Sequence, residues 1–570
     1  MTKNLKFCYT TTMFIEELRK NFKGEIIDDA PTLQRFSHDA SIFEVKPALV
    51  IAPKDSADVQ AAVKAVIASR AGGEAVSLTA RAAGTCMSGG SLTESVVINV
   101  MTHLNAIVDI SVDADKKSGT ATVQPGVFYR DMDTETRRRD LMMPAYPASR
   151  ELAAIGGMVN NNAGGEKSPV YGKIENYLPG LRVVLSDGNE YEVKPLSKAE
   201  LDIKMKLPTF EGRLYKQLFE LINTNQELIT KAKPNVSKNS AGYYLWNVWD
   251  PAANEGKGVF DLGRMIAGSQ GTLGILTEAK LRLVPVPKVS KLMVIFLKEL
   301  SRLGELVAAL HATHPESLES YDDKTFKLVI RYFPQFVKLM RERGLFSLAW
   351  QFLPEFWTVL KMGGIPKMVL MVEFTGDNVT DVDARVAQAT AEVRKFNMPF
   401  RVTHSEAESH KYWTMRRESF SLMRNNLKDR HTAPFIDDFA ILPELMPEFL
   451  PKLTAILDSY GFAYGMAGHP GDGNFHIFPM LKLEDAAERA IIPKLSEEVY
   501  GLVLQYKGTI TAEHNDGLVR TPYLEKMYGP EIIRLFAQVK TIFDPENIFN
   551  PGKKVGGSLS YSLSHIRKSF

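Results

Sequence analysis

Within Gly468-His469-Pro470-Gly471-Asp472-Gly473-Asn474-Phe475-His476, two imidazoles bracket a run of strong turn formers. Proline, glycine, aspartate and asparagine favour a tight reversal, so the flanks fold back as a hairpin that brings His469 and His476 together. Two converging imidazoles suggest a metal, and the plainer alternative is a pair of hydrogen-bonded structural histidines. A third ligand decides between them, and Thr511-Ala512-Glu513-His514-Asn515-Asp516-Gly517 offers Glu513. In an extended segment neighbouring side chains point opposite ways, which sends Glu513 to the metal and His514 to a substrate. Two histidines and one carboxylate leave coordination positions open, as a catalytic site needs, and suit zinc, manganese or ferrous iron. An ion held this way lowers the pKa of a bound hydroxyl, and His514, neutral near pH 7, can take the proton. Trp413-Thr414-Met415-Arg416-Arg417 offers a cation for a substrate carboxylate, unless the arginine pair simply lies on a helix surface. Ile477 and Phe478 follow the second histidine and predict an apolar pocket wall, which favours a short alkyl side chain over a second carboxylate.

Three glycine-rich segments form the second constellation. Arg81-Ala82-Ala83-Gly84-Thr85-Cys86-Met87-Ser88-Gly89-Gly90-Ser91 lies between two expected strands, where close glycines let backbone N–H groups turn toward an anion such as a pyrophosphate. It is no nucleotide-triphosphatase loop, since Gly90 stands where the phosphate-binding lysine belongs, and it does not match G-x-G-x-x-G. An ordinary connecting turn explains one such loop. It does not explain two more, Ile155-Gly156-Gly157-Met158-Val159-Asn160-Asn161-Asn162-Ala163-Gly164-Gly165 and Gly268-Ser269-Gln270-Gly271-Thr272-Leu273-Gly274-Ile275. Glycines beside asparagines bring main chain and amide groups close to a flat ligand, with Ile155, Val159, Leu273 and Ile275 packing around it.

The order of the Arg81 loop, Pro125-Gly126, Pro147-Ala148-Ser149, Asn162-Ala163-Gly164-Gly165 and Gly271-Thr272-Leu273-Gly274-Ile275 resembles the FAD-binding domain of vanillyl-alcohol-oxidase-type flavoproteins. More specifically, the chain resembles the FAD-linked D-lactate dehydrogenase and glycolate oxidase subunit family from about Phe36 to Lys554, with a weaker middle. The resemblance implies an α+β fold. A two-subdomain (PCMH-type) FAD-binding domain is expected over 1–288, and an α+β substrate (cap) domain with an antiparallel sheet over 289–510. A segment over 511–570 then completes the active site and packs back on the FAD domain. The cofactor contacts implied are Arg81, Ala83, Gly84, Thr85, Cys86, Ser88, Gly89, Gly90, Pro147, Ser149, Gly156, Gly157, Asn160, Asn162, Ala163, Gly164, Gly271, Gly274, Ile275 and Asn550. Covalent relatives carry histidine where Thr85 stands, so FAD is expected to bind without a covalent link. His469, His476 and Glu513 match the family's metal ligands, His514 its base, and Arg416 its carboxylate-binding arginine. Asn515 and Asp516 stand where relatives often have glycine and an apolar residue. Asn515 tolerates a left-handed backbone, whereas the sequence gives Asp516 no role.

The activity so implied is oxidation of a small D-2-hydroxy acid to the 2-oxo acid by hydride transfer to flavin N5, with D-lactate the expected substrate. Glycolate and D-2-hydroxyglutarate are the alternatives. Electrons would pass to a quinone, an electron-transfer flavoprotein or a cytochrome. A flavin-independent metal hydrolase using the same triad is the rival class, and it leaves the glycine segments without a task.

The elements that must position these residues are those of an ordinary multidomain protein. At 570 residues, 45% hydrophobic and 24% charged, the chain buries a core without staples. Cys8 and Cys86 form no ligand or disulfide pattern, which fits a reducing, cytoplasmic setting. A net charge of +2 gives no electrostatic reason for a nucleic-acid partner. Residues 1–20 lack the apolar core of a signal peptide, and no run approaches the ~18 apolar residues that span a bilayer. Strands are expected at 49–51, 76–80, 96–100, 121–124, 181–185 and 279–284, with a helix capped by Ser56 and helical structure over 211–231. Pro285-Val286-Pro287 marks a domain boundary. Beyond it come strands at 292–296 and 369–374 and helices at 381–394 and 445–460. Residues 331–362 mix Phe333, Phe336, Trp350 and Trp357 with Lys338, Arg341 and Arg343. Such a mixture suits either a peripheral anchor on a membrane face or a buried helical insertion, and the anchor would make a quinone the acceptor.

Overall fold

The computed structural model describes residues 12–114, 117–331, 357, 360–405, 408–416 and 430–569. Leu49–Ala52 and Val96–Asn99, apolar but for Asn99, are buried throughout, as parallel strands covered on both faces must be. They pair in parallel, Leu78–Arg81 joins the far side of Val96–Asn99, and Glu25–Ile27 closes the other edge antiparallel. Helix Ser56–Ala71 covers this sheet with Val59, Ala62, Val63 and Val66; its cap is Asp55, one residue before the expected Ser56, accepting from the Asp58 N–H. The first glycine loop therefore leaves directly from the end of a buried strand.

A second, antiparallel sheet runs in the order Ile107–Val112, Gly119–Val123, Ile275–Pro285, Gly180–Val184, Glu190–Val193. Its central strand Ile275–Pro285 spans eleven residues, longer than the expected 279–284, and alternates buried with more exposed residues from Thr277 to Val284. The helical stretch expected over 211–231 is two helices, Phe210–Thr224 and Gln226–Ala232, broken where Asn225 leaves helical geometry at φ −111°, ψ 21°.

The chain passes from this sheet to a third between Pro285 and Val289. There Phe400–Val402, Val289–Leu297, Met368–Gly376, Ser317–Asp322, Tyr464–His469, Asn474–Leu481 and His431–Thr432 stand side by side, with antiparallel pairing throughout. Helices Leu303–His311, Val379–Lys395, Met446–Ser459 and Ile491–Gln505 bury one face of it in a large apolar core. Helix Leu524–Phe543 packs against Phe210–Thr224, Phe549 then pairs with Leu78 on the first sheet, and a short helix Leu559–Ser564 follows. The architecture is the mixed α+β one expected. Most of the aromatic and basic stretch 331–362 lies outside the described residues. Among the described residues no helix is long and apolar enough to cross a membrane.

Candidate active site

The two histidines sit on the expected hairpin. Tyr464–His469 and Asn474–Leu481 are joined by a single 3₁₀ turn, Pro470–Asp472, and Gly473 at φ 62°. A Cβ at Gly473 would lie 1.8 Å from the Ile441 carbonyl, so only glycine closes this turn. The His469 and His476 rings lie 5.2 Å apart and perpendicular. Glu513 Oε2 is 3.6 Å from His469 Nε2 and 3.9 Å from His476 Nε2. Ligands at about 2.1 Å around a tetrahedral ion stand roughly 3.4 Å from one another, so small shifts would seat a divalent ion among these three buried side chains. The second nitrogen of each ring is already held. His476 Nδ1 donates to the Asp437 carbonyl at 2.9 Å, and His469 Nδ1 meets the buried Glu319 carboxylate. With Nδ1 fixed as the donor, Nε2 is the lone-pair nitrogen that a metal requires.

Glu513 and His514 do not lie on an extended strand. Asp438 Oδ2 accepts from the N–H groups of Ala512, Glu513 and His514 at 2.9, 2.8 and 2.7 Å and from Thr511 Oγ1 at 2.7 Å, which curls the segment around one oxygen. Glu513 and His514 consequently flank His476 instead of diverging: Glu513 points toward its Nε2, and His514 stacks on its ring at 4.9 Å and 20°. His514 Nδ1 lies 2.7 Å from Asp437 Oδ2, and the other Asp437 oxygen pairs with the fully buried Arg520. Asp437 and Asp438 were missed by sequence reasoning. Their signal was two adjacent carboxylates inside the apolar run Phe435-Ile436-Asp437-Asp438-Phe439-Ala440-Ile441, where burial obliges each to find partners. Asp516, without a role in the sequence, accepts from the Gly242 N–H at 2.8 Å and pairs with Lys554 at 2.9 Å, tying the loop to two distant parts of the chain.

Arg416 reaches the site through Glu319, which it pairs with on the side away from His469. Its neighbour Arg417 lies outside the described residues. Lys238, also missed, contacts both Glu513 and Asp472. Around the triad the carboxylates of Glu319, Asp437, Asp438, Asp472 and Glu513 are met by the cations Lys238, Arg416 and Arg520, and the buried Lys173 adds its charge beside Glu513 and Asp438. Burial pushes the His514 ring down, but Asp438 and Asp437 outweigh it and carry the group up to about 9. Burial and the other two rings push His476 down to about 4. Burial raises Glu513, yet Lys238 and His469 hold it well below the carboxylate range. The chain alone therefore keeps His514 charged at neutral pH, contrary to the neutral base expected; a divalent cation beside it works in the opposite direction.

The predicted apolar wall is half right. Ile477 is fully buried in the core on the far face of the strand, as alternation dictates, while Phe478 lies 6.4 Å from the His476 ring on the same face.

The glycine segments converge on one open cleft. Ala83, Gly84, Thr85, Cys86, Gly90, Gly156, Gly157, Asn160 and Gly271 line it, together with Pro125, Asn161 and Gln270 from the quoted motifs and the unforeseen Ala154. The remaining expected contacts do not line it. The Arg81 guanidinium turns back to the carbonyls of Phe36 and His38 and stacks on the Phe36 ring, holding the loop from behind. Ser88 and Gly89 face the C-terminal segment, where the Ser88 carbonyl accepts from Leu518 N–H. Asn162 ends helix Ile155–Asn161 in a left-handed conformation and bonds Glu175 at 2.6 Å, with Ala163 and Gly164 following it into the loop. Pro147 and Ser149 form a turn whose carbonyls accept from Arg150 and Leu152, and Gly274 and Ile275 enter the central strand. Asn550 acts from outside: its Nδ2 bridges the carbonyls of Gly90 and Gln270 at 2.8 and 2.7 Å.

Comparison with known proteins agrees with this division of labour. Residues 47–194 match the FAD binding domain family, and residues 286–554 match the C-terminal domain of FAD linked oxidases. The chain is 29% identical, over 95% of its length, to a D-2-hydroxyglutarate dehydrogenase from Pseudomonas putida, covering 51% of that protein, so it spans about half the length of such relatives. It is 27% identical to the glycolate oxidase subunit GlcD of Bacillus subtilis, with 91% of each chain covered. Among solved structures it resembles 4-ethylphenol oxidase from Gulosibacter chungangensis at a TM-score of 0.66 and 15% identity, over 96% of this chain and 98% of that one. The fold is of the PCMH type.

Proposed function

On the premise that a chain joining a FAD-binding domain to the C-terminal domain of FAD linked oxidases belongs to that flavoprotein family, we propose that it is a FAD- and metal-dependent dehydrogenase of small D-2-hydroxy acids. The observation that carries this reading is the buried His469, His476 and Glu513 triad with His514 stacked against it. Bound FAD would supply the hydride acceptor, and a divalent ion would supply polarisation of the 2-hydroxyl. The chain's own residues do the rest. Asp437 holds His514 Nδ1, which leaves the other ring nitrogen to accept the hydroxyl proton. Arg416, anchored by Glu319, is the cation we assign to the substrate carboxylate. Burial of the triad keeps competing water away.

The substrate preference shifts from the sequence reading. With Ile477 in the core, the apolar-wall argument for D-lactate rests on Phe478 alone, and the first relatives bear the name D-2-hydroxyglutarate dehydrogenase. We therefore rank D-2-hydroxyglutarate ahead of D-lactate and glycolate. The acceptor is proposed as a quinone, electron-transfer flavoprotein or cytochrome. A flavin-independent hydrolase has no use for the 47–194 domain.

Anaerobic mixing of purified holoprotein with D- and L-forms of 2-hydroxyglutarate and lactate, and with glycolate, tests the reading. Rapid bleaching of the flavin by a D-acid, lost on exhaustive chelation, is the expected result. A flavin reduced by dithionite but by none of these acids refutes it. Acid precipitation of the same preparation should leave the yellow chromophore in the supernatant, because Thr85 offers no covalent attachment.

A further inference from the structure

Lys238 is 1% exposed, and its ammonium meets acceptors from separate segments: Glu513 Oε1 at 2.6 Å, Asp472 Oδ2 at 3.0 Å and the Gly165 carbonyl at 3.2 Å. An ammonium has three N–H donors and no acceptor; two of them bond Glu513 and Gly165, and the contact with Asp472 is an ion pair. Its grip on Glu513 is one-sided. Oε1 goes to the lysine, while Oε2 faces both histidine Nε2 atoms. A carboxylate can bind a cation through one oxygen or through two. The second oxygen of Glu513 is the one Lys238 occupies.

We propose that Lys238 is a positioning residue that limits Glu513 to one ligating oxygen, keeping coordination positions on the metal open for substrate; this rests on the metal reading above. A lysine placed only to fasten the loop would gain nothing from lying beside a divalent-ion site, since its charge repels the ion. Here that charge neutralises the oxygen that would otherwise chelate. It also reaches Asp472, in the turn between the two histidines, whose other oxygen Ser237 binds at 2.7 Å. Lys238 thus fixes the Glu513 loop and the histidine hairpin relative to each other, and the site is held open at the cost of weaker metal binding.

Calorimetric titration of metal-stripped wild type, Lys238→Met and Lys238→Arg with zinc alone and with manganese alone tests this. Lys238→Met should bind zinc about tenfold or more tightly, because a repulsive charge is gone and Oε1 is free to chelate. Lys238→Arg should stay within about threefold of wild type, since its charge remains. In cobalt-substituted wild type a D-2-hydroxy acid should change the visible spectrum, and in cobalt-substituted Lys238→Met it should not. Should Lys238→Met fail to fold, Lys238→Gln, which keeps an N–H donor but no charge, is read by the same titration. Equal or weaker zinc binding by the folded neutral variant overturns this inference alone. A wild type that takes up neither ion overturns the metal reading and this inference with it.

Discussion

His514 is governed by groups it does not choose. Asp437 fixes its orientation, Asp438 holds its backbone, and both raise its affinity for a proton. His514→Asn should therefore leave metal and FAD in place but slow flavin reduction by about 10²- to 10⁴-fold, the usual worth of a positioned base. Single-turnover kinetics with parallel metal analysis measures this, and loss of the metal would mean that the ligand and base roles are exchanged. The same groups set a pH signature for chelated protein. A histidine raised from 6.5 to about 9 contributes stability that is complete below 6.5 and lost as pH rises through about 9. One depressed from 6.5 to about 4 contributes stability that is present above 6.5 and lost as pH falls through about 4. Metal-free protein should be most stable near pH 6.5, falling away on both sides. Zinc should flatten the alkaline side, where its charge takes the place of the His514 proton.

The loop over 511–516 has no strand or helix of its own to keep its shape; one oxygen of Asp438 does that work with four donors. Asp438→Ala leaves those buried donors unsatisfied and should destabilise the protein by about 3 kcal/mol or more, abolishing zinc uptake and base orientation together. Urea unfolding with metal analysis checks it; a variant that unfolds like wild type would show that the loop is held by other contacts. This is also where sequence reasoning stopped. The histidine hairpin was legible because Pro470, Gly471, Gly473 and Asn474 encode their own reversal within a few residues. The path of Glu513 and His514 was not, because it depends on a carboxylate 75 residues upstream of Glu513, and an alternation rule borrowed from strands sent the two side chains apart. Arg81 misled for a similar reason. The resemblance implied a cofactor contact there, yet its guanidinium is turned to the carbonyls of Phe36 and His38, on a part of the chain with no local mark of that pairing. Glycines were the reliable guides to the cleft: a Cβ at Gly90 would stand 2.4 Å from Gln270 Nε2, so spacing alone identified backbone that must come close to something.

At the scale of the molecule, residues 550–554 tie the two halves of the proposed cofactor cleft to the loop that carries Glu513 and His514. Asn550 is buried, and its amide bridges the carbonyls of Gly90, on the first glycine loop, and Gln270, on the third, while its Oδ1 accepts from Thr79 at 3.1 Å. Lys553 bonds the Leu92 carbonyl, and Lys554 pairs with Asp516 beside the catalytic loop. None of these groups lines the cleft, so their contribution to cofactor binding is to hold two facing loops at a fixed distance before the cofactor arrives. Two lost hydrogen bonds at about 1 kcal/mol each imply that Asn550→Ala should weaken FAD retention by roughly 10- to 30-fold. Zinc affinity should stay unchanged, since the triad is built from the hairpin and the Asp438 loop. Fluorescence titration of the stripped protein with FAD, run beside zinc calorimetry, separates these effects. Equal weakening of both ligands would show that the C-terminal segment clamps the whole interface as one unit. Loss of neither would show that the glycine loops keep their separation without it.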